Sequence, residues 1–252
     1  MQIRKTLLPF TISGVVLLCT ATGFMCRTKN SAETFDKKGF AVVELFTSEG
    51  CSSCPSADAA AARLVAKNND HVYVLAYHVD YWNKLGWKDS FSKAEYSQRQ
   101  SGYAAQFKLN SIYTPQIVVN GSSEFVGSDE RKLKSTVEKN IVEASPSDLS
   151  ITTTKTSERV DVEYSITGNE EVILNLALVQ PEATTVVKRG ENDGKTLHHV
   201  NIVRFLKTIT AKDKGKASLE IPKDLTYIPL QLLAFTQAQK DGQVLGADRK
   251  IL

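Results

Sequence analysis

The chain has 252 residues, of which 42% are hydrophobic and 23% are charged, and its formal net charge at pH 7 is +3. These fractions are ordinary for a soluble globular protein, and the length can bury one large core or two smaller ones. The small, scattered positive charge gives no reason to expect nucleic-acid binding, and no glycine-rich loop is present to cradle a phosphate. No cofactor is predicted from the sequence.

The N-terminal segment has the features of a secretory signal peptide. Arg4 and Lys5 precede an apolar run over residues 7–19, and small residues follow that run. This order is typical of cleaved export signals, and the apolar run is short for a membrane span of about 20 residues. We therefore expect residues 1–25 to be a signal peptide, residues 26–39 to be a linker, and the protein to be exported to the periplasm or cell surface. An uncleaved anchor is the alternative.

Cys26 would remain after cleavage as an odd thiol in an oxidising compartment. Lipid attachment at Cys26 would account for it, although Met25 stands where a lipoprotein signal has a small residue. A lipoprotein anchored at Cys26 therefore stays an alternative, and any membrane attachment is expected through the N-terminus only.

The following segment is organised around two cysteines between a strand and a helix. Residues 41–47 (AVVELFT) are apolar or β-branched except for Glu44, which predicts a strand. The alanine-rich segment that ends near Lys67 predicts a helix. Pro55 lacks a backbone N–H, so it is tolerated only in the first helical turn. This places Cys51 at or just before the exposed start of the helix and Cys54 about one turn inside it.

A helix N-terminus favours a thiolate because it presents unpaired N–H groups and a partial positive charge. A cysteine with a pKa of about 8.5 is only about 3% thiolate at pH 7, whereas a pKa of about 6.5 gives about 75%. We therefore predict Cys51 as a nucleophile and Cys54 as the resolving thiol. A zinc half-site and an inert structural disulfide are the alternatives. Zinc would need two further ligands, and no second cysteine pair exists, so no metal site is predicted.

Strands and helices continue to alternate up to about residue 146, in the order β-α-β-α-β-β-α. The predicted elements are a strand over residues 71–80, parallel to the first, a loop over 81–89 that holds both tryptophans, a helix over 91–107, a strand over 112–121 that ends in the Asn-Gly hairpin turn, a returning strand over 125–127, and a helix capped by Ser128 that runs to Glu143.

Beyond the turn-rich residues 145–148 the pattern changes to short strands separated by turn residues. The predicted strands cover residues 149–154, 160–167, 172–180, 198–209, 217–221 and 230–236. Short antiparallel strands at this spacing predict a β-rich, sandwich-like domain. The expected domains are therefore residues 40–146 and residues 147–252.

A cysteine pair at the start of a helix after the first strand, followed by Thr114-Pro115 at the opening of a later strand, resembles the thioredoxin-like superfamily. The resemblance implies an α/β thioredoxin-like domain followed by the smaller all-β domain. It also implies that Pro115 is cis and lies beside the cysteines, and that Thr114 offers backbone bonds to a bound chain. A buried strand acid accepts a proton from the resolving cysteine in many thioredoxins, and Glu44 is the candidate here. A strand-end acid that faces solvent is the alternative for Glu44.

The motifs ELFTSEGCSSCPSAD, YHVDYWNKLGWKD and YTPQIVVNG, with VKRGENDGKTLHHVNIVR in the second half, look like the exported bacterial family catalogued as domain of unknown function 1223. The family brings no established activity. Ser52 and Ser53 replace the Gly-Pro of thioredoxins, and this dipeptide helps to set the reduction potential, so the direction of electron transfer stays open.

Several polar residues are candidates for a substrate-facing rim. His78, Asp80 and Trp82 follow the carboxyl end of the second strand, where ligands bind in open α/β sheets. Together with Ser52, Ser53 and Thr114 they form the predicted substrate-binding set, although a structural role for His78, Asp80 and the tryptophans is the alternative. Arg99 is expected to pair with Asp80 or Asp89. The loop that contains Glu191 and Asn192 is expected to pack near the cysteines.

Two functions follow from these patterns. The first is an exported thiol–disulfide oxidoreductase that acts on a protein or small thiol/disulfide substrate and needs a redox-recycling partner. The second is a non-catalytic binding module in which Cys51 and Cys54 form a structural bridge. A copper- or zinc-handling role is a third alternative.

Overall fold

The computed structural model describes residue 2 and residues 39–67, 69–168 and 171–252. The predicted signal peptide, the possible lipid site at Cys26 and nearly all of the predicted linker lie outside these residues. The described residues from 39 onward belong to one compact unit. None of the described helices is long and apolar enough to span a bilayer.

The described residues contain three α-helices and eleven strands. The helices are α1 (Cys54–Ala66), α2 (Ala94–Gln106) and α3 (Glu130–Val142). The strands are β1 (Ala41–Thr47), β2 (Val72–His78), β3 (Gln116–Val119), β4 (Ser123–Val126), β5 (Leu149–Lys155), β6 (Arg159–Ile166), β7 (Val172–Val186), β8 (Thr196–Ala211), β9 (Lys214–Glu220), β10 (Gln231–Ala238) and β11 (Val244–Ile251).

Eight strands form one mixed sheet in the order β11-β10-β7-β8-β2-β1-β3-β4, and β5, β6 and β9 form a second sheet. β1 and β2 are parallel and are connected through α1. β3 returns antiparallel to β1 and continues through a tight turn into β4. β8 lies parallel to β2, with Ala76 opposite Ile202, and this pairing joins the two halves of the chain.

The expected fold class, an α/β thioredoxin-like domain followed by a separate all-β domain, is wrong. The described chain is mostly β-structure, and its large mixed sheet runs through both halves of the chain. The expectation failed because sequence periodicity predicts individual strands but does not predict that β2 and β8, about 120 residues apart, lie side by side. The boundary between residues 146 and 147 stays a prediction.

Most individual elements lie within a few residues of their predicted bounds, and the clearest differences are in β3, β7, β11 and the start of α3. β3 begins at Gln116, four residues after the start of the predicted strand. β7 is longer than expected because it continues from Gln180 to Val186 as one arm of the hairpin with β8. β11 was not predicted, since charged residues interrupt its apolar pattern. The N-cap of α3 is Asp129, whose side chain accepts a hydrogen bond from the Lys132 backbone N–H, and not Ser128.

The two faces of β1 pack against different layers because side chains alternate along a strand. Val43 and Leu45 face an apolar cluster that includes residues of α1 and α3. Val42 and Phe46 face a second cluster built with α2, β7 and β10. A third cluster lies between the large sheet and the β5-β6-β9 sheet.

Candidate functional site

The two cysteines form a disulfide at the start of α1, with their Cα atoms 5.4 Å apart. Cys54 is the first helical residue, so it lies at the helix start and not one turn inside it. Pro55 occupies the first turn, as predicted. Cys51 lies three residues earlier in the turn that leaves β1, and its Sγ is 3.3 Å from the Ser53 hydroxyl.

Cys51 is buried, contrary to the exposed position that the sequence predicted. Only 1% of Cys51 and 0% of Cys54 are accessible to solvent. The loop between β7 and β8 (residues 187–195, the hairpin loop below) covers the turn. The Asn192 side-chain amide donates hydrogen bonds to the carbonyls of Glu49, at 2.8 Å, and Cys51, at 2.9 Å.

The hairpin loop also binds the exposed side of the cysteine turn. The Glu191 carboxylate accepts a hydrogen bond from the Ser52 backbone N–H at 3.0 Å. Hydrogen bonding from Ser52 lowers the pKa of Glu191. These contacts confirm the expectation that Glu191 and Asn192 pack near the cysteines. Ser52 and Ser53 themselves are exposed, so they remain accessible to a bound chain.

Three of the other predicted site residues are brought together near this turn. The Thr114–Pro115 peptide bond is cis, as the resemblance implied. The Trp82 indole N–H donates to the Thr114 hydroxyl at 2.8 Å. A Cβ placed on Gly50 would lie 3.2 Å from the Trp82 Cβ, so the indole residue is also next to the cysteine turn.

Pro115 lies close to the cysteine helix. A Cβ added to Gly127 would lie 3.1 Å from the Pro115 Cβ and 3.0 Å from the Ala57 Cβ, so Gly127 separates Pro115 from α1 by a close contact on each side. The Gly127 backbone N–H donates to the Pro115 carbonyl at 2.8 Å. The cis proline is therefore held against the first turn of α1.

The structure does not bring Glu44 to the cysteine pair. Its side chain lies on the face of β1 opposite to α1, where it forms an ion pair with Arg99 at 2.5 Å and accepts a hydrogen bond from the Tyr103 hydroxyl. The Glu44 side chain is almost fully buried, so the solvent-facing alternative is wrong as well. Arg99 pairs with Glu44, and not with Asp80 or Asp89 as the sequence predicted. Asp80 instead accepts a hydrogen bond from the Ser97 hydroxyl at 2.6 Å.

His78 belongs to a buried polar cluster and is not on an exposed rim. It has no solvent exposure, and its Nδ1 is 2.7 Å from the Asp89 carboxylate. Burial disfavours the charged imidazole, but the neighbouring acids, with Asp89 first among them, together raise the pKa of His78. Burial alone would raise the pKa of Asp89, but His78 and the backbone N–H groups of Glu49 and Phe91 together lower it.

His199 from β8 joins the same cluster between two carboxyl groups. Its Nε2 is 3.3 Å from Glu49 Oε1 and its Nδ1 is 3.8 Å from Asp58 Oδ2. The rings of His78 and His199 meet edge to face, with their centroids 4.8 Å apart. The Trp87 indole N–H donates to the second Glu49 oxygen at 2.7 Å.

Asp58 is the member of the cluster that α1 contributes. The Thr47 hydroxyl at the end of β1 donates to its carboxyl at 2.9 Å. Burial raises the pKa of Asp58, although the nearby imidazoles of His199 and His78 lower it in part. Among residues that the structure describes, no three histidine, cysteine or acidic side chains are arranged to hold a metal ion.

The sequence patterns did not reveal this cluster. Asp58 lies in the segment predicted as an alanine-rich helix, and Glu49 lies just beyond the predicted first strand. Adjacent strand residues such as His198 and His199 face opposite sides, so their pairing in the sequence gave no sign of a shared site. The signal that was available is the spacing of the acids from the cysteines. Glu49 precedes Cys51 by two residues, and Asp58 follows Cys54 by one helical turn.

A family model described as "Protein of unknown function (DUF1223)" matches residues 42–234. The solved structure of protein AGR_C_4864 from Agrobacterium tumefaciens is similar, at 28% identity and a TM-score of 0.64, over 84% of this chain and 93% of that chain. HBP35 of Porphyromonas gingivalis is similar in fold, at 18% identity and a TM-score of 0.58, over 85% of this chain and 76% of that one. The search of curated proteins found no match.

Proposed function

The chain belongs to the DUF1223 family of unknown function, and we propose that it is a thiol–disulfide oxidoreductase whose reacting groups are Cys51 and Cys54. The observation that carries the proposal is the Cys51–Cys54 disulfide at the N-terminus of α1. The cis Thr114–Pro115 bond supports it, because Pro115 and Ala57 of the same helix both lie next to Gly127. A helix start stabilises thiolates, and the two sulfurs can exchange one disulfide for another without any cofactor.

The reaction of the reduced chain has two steps that balance electrons and protons. The Cys51 thiolate attacks a substrate disulfide, which gives a mixed disulfide and releases one substrate thiolate. Cys54 then loses its proton and attacks the Cys51 sulfur, which restores the Cys51–Cys54 bond and releases the second substrate thiolate. The substrate gains two electrons, and its two thiolates take up the proton released by Cys54 and one proton from solvent. A partner dithiol must then reduce the chain again.

Substrate must reach Cys51 past the hairpin loop, because Asn192 and Glu191 close the turn in the oxidised chain. We place the entry between this loop and Trp82, which packs against Gly50. Ser52, Ser53 and Thr114 border that entry and are the residues that we expect to contact a bound polypeptide. The proposed substrate is a disulfide of a protein or of a small molecule.

The burial of Cys51 favours a second candidate function. A disulfide with 1% exposure is also what a structural bridge would show, in a module that binds a partner without chemistry. Structural disulfides in exported proteins have potentials below about −300 mV, whereas exchange catalysts lie between about −270 and −120 mV. The two functions therefore differ in a measurable potential.

The test is a redox titration of the purified chain against a glutathione series, with the thiols of Cys51 and Cys54 trapped by alkylation. A midpoint in the catalyst range supports exchange, and its value tells whether the chain donates or accepts electrons. In the same assay, Cys54→Ser should accumulate a mixed disulfide with glutathione and Cys51→Ser should not. A midpoint below about −300 mV with slow exchange would leave the binding module as the function.

We also propose that the protein is exported. The support for export is the pattern of residues 1–25, in which charged residues precede an apolar run. An exported chain would meet oxidising conditions, in which a disulfide persists. Radiolabelled palmitate incorporation that Cys26→Ser abolishes would establish lipid anchoring. Cleavage of the chain without lipid would instead establish a free exported protein.

A further inference from the structure

The buried cluster beneath the cysteine turn contains polar atoms that have no hydrogen-bond partner among the described residues. They are Glu49 Oε1, His78 Nε2, and both ring nitrogens of His199. Burying a polar atom without a partner costs about 1–3 kcal/mol, so such atoms are rare in folded proteins and call for an explanation. Three of these four atoms lie on one path between two carboxyl groups.

That path runs from Glu49 through the His199 ring to Asp58. The Nε2 of His199 lies 3.3 Å from Glu49 Oε1, and its Nδ1 lies 3.8 Å from Asp58 Oδ2. An imidazole can accept a proton at one nitrogen while it releases one from the other. Movements of less than about 1 Å would convert both separations into hydrogen bonds of ordinary length.

Each of the two carboxyl groups at the ends of this path comes from a residue close in sequence to one of the cysteines. Glu49 lies two residues before Cys51, and its carbonyl shares the Asn192 amide with the carbonyl of Cys51. Asp58 lies four residues after Cys54, a spacing that puts both side chains on the same face of α1. The carboxyls therefore flank the disulfide along the chain, and β8 supplies the imidazole that connects them.

Asp58 also connects the cluster to solvent. It lies on the wall of a groove of about 490 Å³ between α1 and the start of β8, together with Pro55, Ala59 and Leu197. The other members are more deeply buried, since His78, Asp89 and Glu49 are each at most 1% exposed. A proton that leaves the cluster therefore has its shortest way out at Asp58.

The cluster brings acidic and basic side chains close together. Three carboxyls from Glu49, Asp58 and Asp89 face two imidazoles from His78 and His199. Burial disfavours the charged carboxylate and raises the pKa of Asp58, so this acid holds a proton more readily than an exposed aspartate does. The ring of His78, which pairs with Asp89, packs edge to face against the ring of His199.

We infer that Glu49, His199 and Asp58 form a proton relay for the cysteine pair, in which Asp58 accepts the proton of the Cys54 thiol. The inference rests on the exchange function proposed above. In the resolving step the Cys54 S–H bond breaks, its proton passes to the Asp58 carboxylate, and the Cys54 sulfur attacks Cys51 and expels the substrate thiolate. The proton then leaves through the groove or is shared through His199 with Glu49.

The experiment follows the resolving step of the full chain directly. Reduced protein is mixed with oxidised glutathione, quenched with acid at intervals, and the chain–glutathione adduct at Cys51 is quantified by mass spectrometry from pH 5.5 to pH 9. Asp58→Asn and His199→Gln are compared with the wild type. His71→Gln is the control, because His71 lies before β2, at the opposite end of that strand from His78.

We expect the adduct of Asp58→Asn to persist at least about tenfold longer than that of the wild type at pH 6–7. The ratio should fall towards one at pH 9, where hydroxide deprotonates Cys54 directly. His199→Gln should show a smaller increase with the same pH trend, and His71→Gln should show none. Asp58→Asn retains an oxygen for the Thr47 hydroxyl, so this variant keeps the test valid if His199→Gln does not fold.

A lifetime ratio for Asp58→Asn that is the same at every pH would contradict the relay, because a packing defect has no reason to depend on hydroxide. An unchanged lifetime would contradict it as well. The adduct could form slowly in every variant while the lifetime ratio of Asp58→Asn to the wild type still depends on pH. That result would count against efficient exchange catalysis, but it would support the relay in the resolving step. A wild type that forms no adduct would exclude exchange and, with it, the relay.

Discussion

Asn192 is the residue whose replacement should most directly uncover the disulfide. Its side chain is fully buried, and its amide donates to the carbonyls of Glu49 and Cys51. The Cys51 carbonyl also accepts from the Cys54 N–H, whereas Asn192 is the only partner that the described residues offer to the Glu49 carbonyl. Asn192→Ala therefore removes these two buried hydrogen bonds and leaves one carbonyl without a partner. It also removes the hydrogen bond that the Asn192 Oδ1 accepts from the exposed Lys195 side chain at 2.9 Å.

The expected loss can be worked out from these contacts. Each of the two buried hydrogen bonds contributes about 1 kcal/mol net, and the unpaired carbonyl adds a penalty of about 1–3 kcal/mol, so the free energy of unfolding should fall by about 3–5 kcal/mol. Much of this loss should appear as opening of the hairpin loop. A change of about 2 kcal/mol raises the open population roughly 30-fold, and reduction of the disulfide by dithiothreitol should accelerate by a similar factor.

Two assays measure the effect, namely urea unfolding of the oxidised chain and the initial rate of disulfide reduction. Asp193→Ala is the matched control because Asp193 is the next residue in the same loop and its side chain is exposed. It should change the free energy of unfolding by less than about 0.5 kcal/mol. If Asn192→Ala is destabilised but its disulfide is reduced at the wild-type rate, then the loop does not control access to Cys51.

Three further predictions concern the rest of the buried polar structure. Arg99→Met should lower the free energy of unfolding in urea by about 3–5 kcal/mol, because it leaves Glu44 charged and buried without its counter-ion; a loss below about 1 kcal/mol would contradict this. The pair of His78 and Asp89 should make stability depend on pH. Because the pKa of His78 is raised in the folded chain, its contribution to stability is complete below the ordinary pKa of 6.5 and is lost as the pH rises through the pKa of the folded state. Because the pKa of Asp89 is lowered in the folded chain, its contribution to stability is present above the ordinary pKa of 3.8 and is lost as the pH falls through the pKa of the folded state. Urea unfolding from pH 4 to pH 9 should therefore show a decline above about pH 6.5 that Asp89→Asn flattens, and an identical decline in both proteins would refute the assignment. Trp82→Phe should cost about 1 kcal/mol in urea unfolding through loss of its bond to the residue before the cis proline, with no loss counting against that bond.

The parts of the fold that sequence reasoning predicted well are those set by local patterns. β1 has the predicted bounds because six of its seven residues are apolar or β-branched and the strand ends before a glycine-bearing turn. The Asn120-Gly121 turn joins β3 to β4, since both residues adopt the positive φ that this dipeptide favours. Pairing between distant strands has no such local signal, and this is why the parallel contact of β2 with β8 was missed.

The same contrast holds for the site, where residues set by the local sequence were predicted and residues set by the packing of distant segments were not. The cysteine pair and Pro55 were placed from local chemistry, and the cis bond at Pro115 from a resemblance. Glu44 was misplaced because its face of the strand depends on which side α1 packs, and a shift of one residue exchanges the two faces. The acid that does lie on the side of α1 is Asp58, which the strand pattern of β1 could not reveal.

The contacts of the site explain why both halves of the chain are needed to build it. The cysteines and Asp58 come from the segment between β1 and α1, whereas Asn192 and His199 come from the hairpin of β7 and β8. The hairpin reaches the cysteine turn because β8 lies beside β2 in the large sheet. Removing the second half would expose Cys51 and leave Asp58 and Glu49 without the imidazole between them. The β-rich half is therefore a structural part of the cysteine site itself, which accounts for a family match that extends over residues 42–234.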